Sequence, residues 1–258
     1  MAALRGLGPF DAALCAATGN RDLPPLWLRR HAGSVADYEG AARGMDSWIG
    51  RLELVRPGDL ALDVGCGAGA MATALGRRIG PNGHYVGVDV HQPSIAWAAR
   101  HFSGDGRFRF ELAQVASPYG SHRGPSSRHY RLPLGDGAAQ FVLAKSLFTH
   151  LLEEEAAAYL AEFRRVLDPG RAVVVSAFLF APGSRSDRGL SRWFRHPEAG
   201  SPVRWRFRHR PQAAVAYERS RFVSLVESAG LRVHQVHQGF FPGEDEHPHG
   251  QDIVLLGI

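Results

Sequence analysis

Two carboxylates and a set of glycines are the residues best placed to do chemistry. Asp63 lies in an apolar run, two residues before the stretch Gly65-Cys66-Gly67-Ala68-Gly69-Ala70. Asp89 ends a second apolar run about 20 residues further on. Gly65, Gly67 and Gly69 accept backbone angles closed to other residues and present bare peptide to a ligand. Where such a turn opens a helix, free N–H groups and the positive dipole end attract a carboxylate. Asp63 favours a cation, and Asp89 can accept two hydrogen bonds side by side from a vicinal diol. Together these features describe one ligand with a cationic end, a carboxylate and a ribose.

The elements that must position these groups follow from periodicity. Residues 59–65 read as a buried strand, and 69–79 as the helix after the turn, with Met71, Leu75 and Ile79 on one face. Pro81-Asn82-Gly83 is a turn, 84–89 a second strand and 92–101 a second helix. Residues 107–115 make a third strand in which Phe108, Phe110 and Leu112 alternate, and a loop follows over 116–131. Residues 140–145 are a fourth strand, and 153–166 a helix stopped by Asp168-Pro169-Gly170. Residues 172–180 form a fifth strand, apolar enough to be interior. The alternation ends there. Residues 181–216 are rich in Arg, Pro, Ser and aromatics, and a helix over 218–229 and strands over 231–239 and 251–258 close the chain. The pattern predicts an α/β fold: a Rossmann-like, seven-stranded, mostly parallel sheet with an antiparallel last strand. It fits a single domain over 1–258, with an N-terminal helical lid (1–55), a cofactor-binding core (56–180), a substrate-side cap (181–216) and closing elements (217–258).

Composition narrows the class. At 258 residues, 45% hydrophobic and 21% charged, the make-up is that of an ordinary globular protein. No run is long enough to span a bilayer and no basic-then-apolar leader layout is present, so a cytoplasmic location and no membrane partner are expected. Cys66 sits in the glycine turn and Cys15 has no neighbour at metal spacing, which predicts neither a structural disulfide nor a zinc site. Glu244-Asp245-Glu246-His247-Pro248-His249 is dense in metal-ligating types but irregular in spacing, and no metal is assigned to it. The net charge of +5 is almost wholly arginine, with Lys145 the single lysine. That balance allows anionic partners without requiring them.

With these residues in view, the chain resembles the class I S-adenosylmethionine-dependent methyltransferases over nearly its whole length. Leu62 to Gly69 resembles that family's first motif, and Asp89 its second-strand acid. Leu132-Pro133-Leu134-Gly135-Asp136-Gly137 is similar to the approach to its fourth strand, and Arg165-Val166-Leu167-Asp168-Pro169-Gly170 to the turn before its fifth. A narrower similarity, to bacterial small-molecule and saccharide methyltransferases, rests on Ser146-Leu147-Phe148-Thr149-His150-Leu151, Ala214-Val215-Ala216-Tyr217-Glu218 and Gln251-Asp252-Ile253-Val254. The resemblance implies S-adenosylmethionine as cofactor. Its candidate binding residues are Asp63, Gly65, Cys66, Gly67, Gly69, Asp89, Gln114 and Lys145. Three positions depart from the family pattern: Gln140 for an acid entering the fourth strand, Arg171 for the second glycine of a Pro-Gly-Gly turn, and Gln114 for an acid near the adenine. Gly65-x-Gly67-x-x-Ala70 also fits a dinucleotide fingerprint, which keeps an NAD-dependent oxidoreductase as an alternative. Asp63 beside a pyrophosphate, and the helices ahead of the turn, weigh against it.

Methyl transfer needs an aligned acceptor and, for a hydroxyl, a base. Ligands in open α/β sheets lie beyond the strand C-terminal ends, which puts Ser146, Phe148, Thr149 and His150 beside the reacting groups. His150 is the candidate base, because an imidazole titrates near neutrality; its other reading is a residue that caps or packs on the next helix. Phe148, Thr149, Trp205, Tyr217, Gln251 and Asp252 are the candidate substrate residues. Arg204 to Arg210 alternates cation and aromatic. This predicts a strand with Trp205, Phe207 and His209 facing the substrate and the arginines facing away. The same interleaving can stack bases and meet phosphates. Trp27, Arg29 and Tyr38 are candidate lid residues. The expected function is methyl transfer from S-adenosylmethionine to a small molecule, at a hydroxyl of a sugar or secondary metabolite, with no nucleic-acid partner. An RNA or protein methyltransferase is the main alternative.

Overall fold

Among the described residues the strands pair into one nine-stranded sheet. The computed structural model describes residues 23–29, 38–120, 124–197, 200–239 and 250–258. Strands β1 (Leu60–Val64), β2 (His84–Asp89), β3 (Phe108–Leu112), β4 (Ala139–Ala144) and β5 (Leu167–Phe180) run parallel in the order β3-β2-β1-β4-β5. Chain order reverses between β1 and β4, which opens a crevice beyond their C-terminal ends. The described helices are α1 (Leu26–Arg29), α2 (Tyr38–Arg51), α3 (Ala72–Ile79), α4 (Gln92–His101), α5 (Glu153–Val166), α6 (Arg185–Ser191) and α7 (Arg219–Ser228).

Successive strand residues face opposite sides, and helices cover both. Leu62, Val86 and Val142 pack with Phe163 of α5 and Phe222 of α7. Ala61, Tyr85 and Phe141 pack with Trp48 of α2 and Leu75 of α3. In β1, β2 and β4 most residues of both faces are buried, so these strands read as largely apolar.

β5 changes neighbours along its length. Residues 173–177 pair antiparallel with β9 (Asp252–Gly257), and residues 178–180 pair parallel with β7 (Val215–Glu218). β9 pairs antiparallel with β8 (Arg232–His237), and β7 with β6 (Val203–Trp205). The central sheet is thus the expected seven strands with an antiparallel last one, and β6 and β7 add a small extension under the cap.

Four local expectations are corrected. The helix after the turn begins at Ala72, not at residue 69, because Gly69 has φ 80°, outside helical conformation. The third strand ends at Leu112 rather than at 115. Asp168-Pro169-Gly170 ends α5 but lies inside β5, as a register shift between the pairs Ala139–Leu167 and Phe141–Ala172. The cap strand stops at Trp205 instead of running to Arg210. Trp205 of β6 also bridges His196, and the β6–β7 ladder ends at Trp205–Val215, so the alternation beyond has no buried face to serve. Phe207 is instead 46% exposed, and the Arg206 guanidinium lies over the Trp193 and Phe207 rings at 4.5 and 5.0 Å.

Two of the departures from the family pattern belong to one network. The Gln140 Oε1 accepts from the Leu60 N–H at 2.9 Å, and the Gln140 carbonyl accepts from Arg171 Nε at 3.0 Å. Arg171 also pairs with the buried Asp59, whose carboxylate accepts from the Arg56 N–H at 2.7 Å. The acid missing at 140 is supplied from 59, at the end of the sheet where β1 begins. Arg171→Ala strands the Asp59 charge, so it is expected to lower unfolding free energy by about 3 kcal/mol in urea titration. Because the network lies away from the crevice, S-adenosylhomocysteine affinity should stay within about twofold.

Among the described residues no helix is long and apolar enough to cross a membrane, and no three metal-ligating side chains cluster. The tract 244–249 lies outside the described residues.

Candidate functional site

β1 enters the turn at Gly65. The Gly65 and Cys66 N–H groups both donate to the Val88 carbonyl, at 2.8 and 3.1 Å, which ties the turn to the end of β2. Gly65 and Gly67 have φ 82° and 55°, where a side chain would be strained. Asp89 locks this geometry. Its Oδ2 accepts from the Gly67 N–H at 2.8 Å and its Oδ1 from the His91 N–H at 2.7 Å. Burial raises the Asp89 pKa, and these two backbone bonds oppose the rise. Each oxygen keeps a further acceptor position, so a diol can still be met.

Asp63 lies beneath the turn at 2% exposure and accepts from the Tyr85 hydroxyl at 2.7 Å. Burial pushes its pKa up to about 7, against the Tyr85 hydrogen bond and the Lys145 charge, which hold it down. The Tyr38 hydroxyl is buried near this charge without a hydrogen-bond partner among the described residues. The floor of the site thus holds the buried Asp63 carboxylate and the half-buried Asp89 carboxylate, with the orphaned Tyr38 hydroxyl near Asp63. It fits S-adenosylmethionine, which brings a sulfonium, an ammonium and a ribose diol. The pyrophosphate of a dinucleotide would meet the same carboxylates and be repelled.

The Asp63 shift has a checkable sign. Its folded-state pKa of about 7 lies above the ordinary 3.8, so the ligand-free folded chain binds the extra proton between these values. This contribution to stability is full below the lower value and lost as pH rises through the upper one. The stability of wild type minus that of Asp63→Asn should therefore fall as pH rises across this window in denaturant titrations. A flat difference would contradict it.

Above the floor, a cleft of about 920 Å³, mouth included, is lined by Gly65, Asp89, Lys145, His150 and Tyr119 among others. Burial pushes the Lys145 ammonium below its ordinary pKa, while the Asp63 charge pulls it back. The next residue, Ser146, has φ 59°, a left-handed conformation that a non-glycine residue holds only under constraint. The constraint is visible. Its N–H donates to Ser176 Oγ at 2.7 Å, and both serine hydroxyls donate to Gln251 Oε1, at 3.1 and 2.7 Å.

His150 stands on the same wall. Its Nδ1 lies 3.0 Å from the Gln212 carbonyl oxygen and 3.0 Å from the Tyr119 hydroxyl. A carbonyl only accepts, so Nδ1 carries the proton and Nε2 the lone pair. Burial lowers the His150 pKa, against the hydrogen bonds to Gln212 and Ala213. Glu155 fixes the cap beside it. Its carboxylate accepts from the Leu152 N–H (2.8 Å), Gln212 Nε2 (2.9 Å) and Ser127 Oγ (3.1 Å).

The structure gathers some expected residues and separates others. Gly65, Asp89, Lys145 and His150 share the cleft wall, with Asp63 and Cys66 buried below it. Gly67 is pinned by Asp89, and Gly69 faces a separate groove with Tyr38 and Thr73. Gln251 reaches the cleft through Ser146. Gln114 is exposed, and its neighbours Ala113 and Val115 take the wall instead. Phe148, Thr149 and Tyr217 are core residues. The Phe148 ring packs on Phe222 at 5.6 Å, Thr149 Oγ1 donates to the Ser146 carbonyl at 2.7 Å, and the Tyr217 hydroxyl donates to the Leu151 carbonyl at 2.5 Å. Phe148–His150 is a single 3-10 turn, whose side chains point three ways, and of the three His150 lines the cleft. Trp205 packs on the edge of the core. Asp252 lines a second cavity, where it accepts from the Leu179 and Gly239 N–H groups at 2.8 and 3.0 Å. Tyr119, Ser127, Glu155 and Gln212 were not legible as site residues. Only Glu155 had a local sign, its place in the first turn of α5.

A family model described as a methyltransferase domain matches residues 61–170. Over 71 residues the chain is 39% identical to the nocamycin O-methyltransferase of Saccharothrix syringae, covering 26% of this chain and 25% of that protein. Over 147 residues it is 25% identical to the arsenite methyltransferase of Halobacterium salinarum, covering 54% and 34%. The chain spans about a third or less of the length of the curated relatives it matches. Among solved structures, a SAM-dependent methyltransferase from Aquifex aeolicus superposes with a TM-score of 0.55 at 17% identity, covering 91% of this chain and 98% of that one. Sheet order, glycine turn, second-strand acid and matched domain agree: residues 61–170 match a methyltransferase domain, and the fold is that of S-adenosylmethionine-dependent methyltransferases of known structure.

Proposed function

We propose that this chain moves a methyl group from S-adenosylmethionine to a hydroxyl of a small-molecule acceptor, with His150 as the base. The observation that carries this reading is the Nδ1-protonated His150 on the wall that also holds Gly65 and Asp89. S-adenosylmethionine, when bound, supplies the methyl group and the sulfur leaving group. Asp89 would hold the ribose diol, the amides of the Gly65–Gly69 turn the carboxylate, and Asp63 with Tyr38 the ammonium end. His150 Nε2 takes the proton of the acceptor hydroxyl, and burial keeps that nitrogen unprotonated at neutral pH. Trp27 of α1 meets the ring of His91 on the cleft wall at 6.4 Å, which supports the N-terminal segment as a lid. The O-methyltransferase relative supports a hydroxyl acceptor.

The test is calorimetry with S-adenosylhomocysteine, followed by its release from S-adenosylmethionine in the presence of sugars, phenols, amines and thiols. Binding together with turnover on hydroxyl compounds is expected. A melting temperature raised by NAD and not by S-adenosylhomocysteine would overturn the whole reading. Turnover confined to amines or thiols would overturn the hydroxyl.

A further inference from the structure

The charge of this chain is concentrated in one place. Residues 181–216 hold eight arginines against Asp187 and Glu198, a formal +6, whereas the whole chain carries +5. The remaining residues together are therefore slightly acidic. A cap this basic over an acidic cofactor floor focuses anions at the acceptor side.

Most of these arginines are used inside the cap. Arg204 bonds Asp187 at 2.6 Å and stacks on Phe180 at 3.9 Å. Arg206 stacks on Trp193 and Phe207, Arg188 bonds the Gly183 carbonyl, and Arg195 bonds the Arg192 carbonyl. Arg210 differs. Among the described residues its guanidinium has no ion pair or hydrogen bond, and it lines the outward continuation of the cleft with His209, Gln212, Ser127 and Glu155. Gln212 and Glu155 also line the inner cleft with His150, so the two spaces adjoin across these side chains.

The backbone that carries Arg210 is held firmly. It leads into the 3-10 turn Pro211–Ala213, and within that turn Gln212 is bonded to Glu155 by its side chain and to His150 by its carbonyl. Among the described residues Glu155 is the one carboxylate on this outer wall, and its three hydrogen bonds turn it toward Leu152, Ser127 and Gln212. Burial raises the Tyr119 phenol pKa, and the charge of Arg210 opposes the rise, so the guanidinium is felt at a hydroxyl 3.0 Å from His150.

We propose that Arg210 anchors an oxyanion of the acceptor, a carboxylate or phosphate group, and so selects anionic small molecules for the site beside His150. The proposal rests on the methyltransferase reading of the cleft. A guanidinium meets either oxyanion with two parallel N–H donors, which sets orientation as well as affinity. An extended nucleic-acid track would instead need an unbroken row of free arginines, and Arg188, Arg195, Arg204 and Arg206 are engaged within the cap.

The test uses the full chain, first titrated with S-adenosylhomocysteine and then, loaded with it, with inorganic phosphate and with acetate. One-site binding of at least one anion is expected, and the stronger of the two identifies the group. Arg210→Gln should weaken it about tenfold, with S-adenosylhomocysteine binding unchanged. Arg192→Gln, on an exposed part of the cap, should leave it unaltered. Equal weakening by both variants would reduce the effect to a diffuse field and overturn the proposal, as would no binding of either anion. So would tighter binding of a short RNA, lost equally in Arg192→Gln and Arg210→Gln. If the wild type fails to bind S-adenosylhomocysteine, the cofactor reading falls by itself, and the anion titrations on the unloaded chain still decide Arg210.

Discussion

Asp89→Ala is expected to weaken S-adenosylhomocysteine binding by about 100-fold or more in calorimetry. Two charge-assisted bonds to a ribose diol would be lost, each of about 1.5 to 3 kcal/mol, and about 1.4 kcal/mol is tenfold in affinity. A second loss adds to the first, because the Gly67 and His91 N–H groups that Asp89 holds in place lose their partner. The turn would no longer be pinned in the shape that exposes its amides. Asp89→Asn separates these contributions. Its one oxygen can keep a backbone N–H but not both, so an intermediate loss of about tenfold is expected. Thermal unfolding of the ligand-free variants distinguishes a weakened site from an unfolded chain. Binding to Asp89→Ala close to that of wild type would remove Asp89 from the cofactor site.

His150→Ala should lower kcat by about 10²- to 10⁴-fold while leaving S-adenosylhomocysteine affinity near that of wild type. The direction of the pKa shift sets the pH profile. Burial lowers the His150 pKa below 6.5, so the neutral imidazole dominates at and above neutral pH. The wild-type rate should be level there, and fall as pH drops through the lowered pKa and protonation removes the lone pair on Nε2. In His150→Ala that acid limb should vanish along with most of the rate. The variant also removes the Nδ1 bond to Gln212, but Glu155 still holds the Gln212 side chain, so the cap keeps its place. A raised KM with kcat unchanged would make His150 a packing residue under the cap rather than a base.

The parts of the site legible in the sequence are those whose function is local. The turn from Gly65 to Gly69 declares itself, because positive φ angles demand glycine in the same few residues that meet the ligand. Asp63 and Asp89 declare themselves because each sits beside a strand end. The rest depends on distance in the chain. Tyr119 meets His150 across 31 residues, Gln212 meets Glu155 across 57, and Ser146 meets Gln251 across 105. No periodicity carries such pairs. Phe148, Thr149 and Tyr217 illustrate the opposite error. They stand at element ends near the crevice, yet the turn and strand they occupy bury them in the core, where Phe163 and Phe222 pack on Phe148, and Phe222 on Tyr217. Trp205 to Arg210 shows that alternation alone does not make a strand when the neighbouring ladder has already ended. The departures at 140 and 171 were legible one by one, but the contact they form together with Asp59 was not.

The change of partner along β5 matters for anyone who would exchange the cap for that of another protein. Composition places the natural cut after Phe180, where the apolar strand gives way to Ala181 and Pro182. The ladder places it earlier. Phe178, Leu179 and Phe180 already pair with β7, and Phe178 and Phe180 pack with Leu190, Phe194 and Ala216 in a small apolar cluster of their own. Those three residues are joinery for the acceptor side, carried on a strand whose preceding residues belong to the cofactor side. A graft made at Ala181 would set a foreign cap on a mismatched mortise. One made after Ala177, carrying its own last turn of β5 and its own β7, would bring both halves of the joint together.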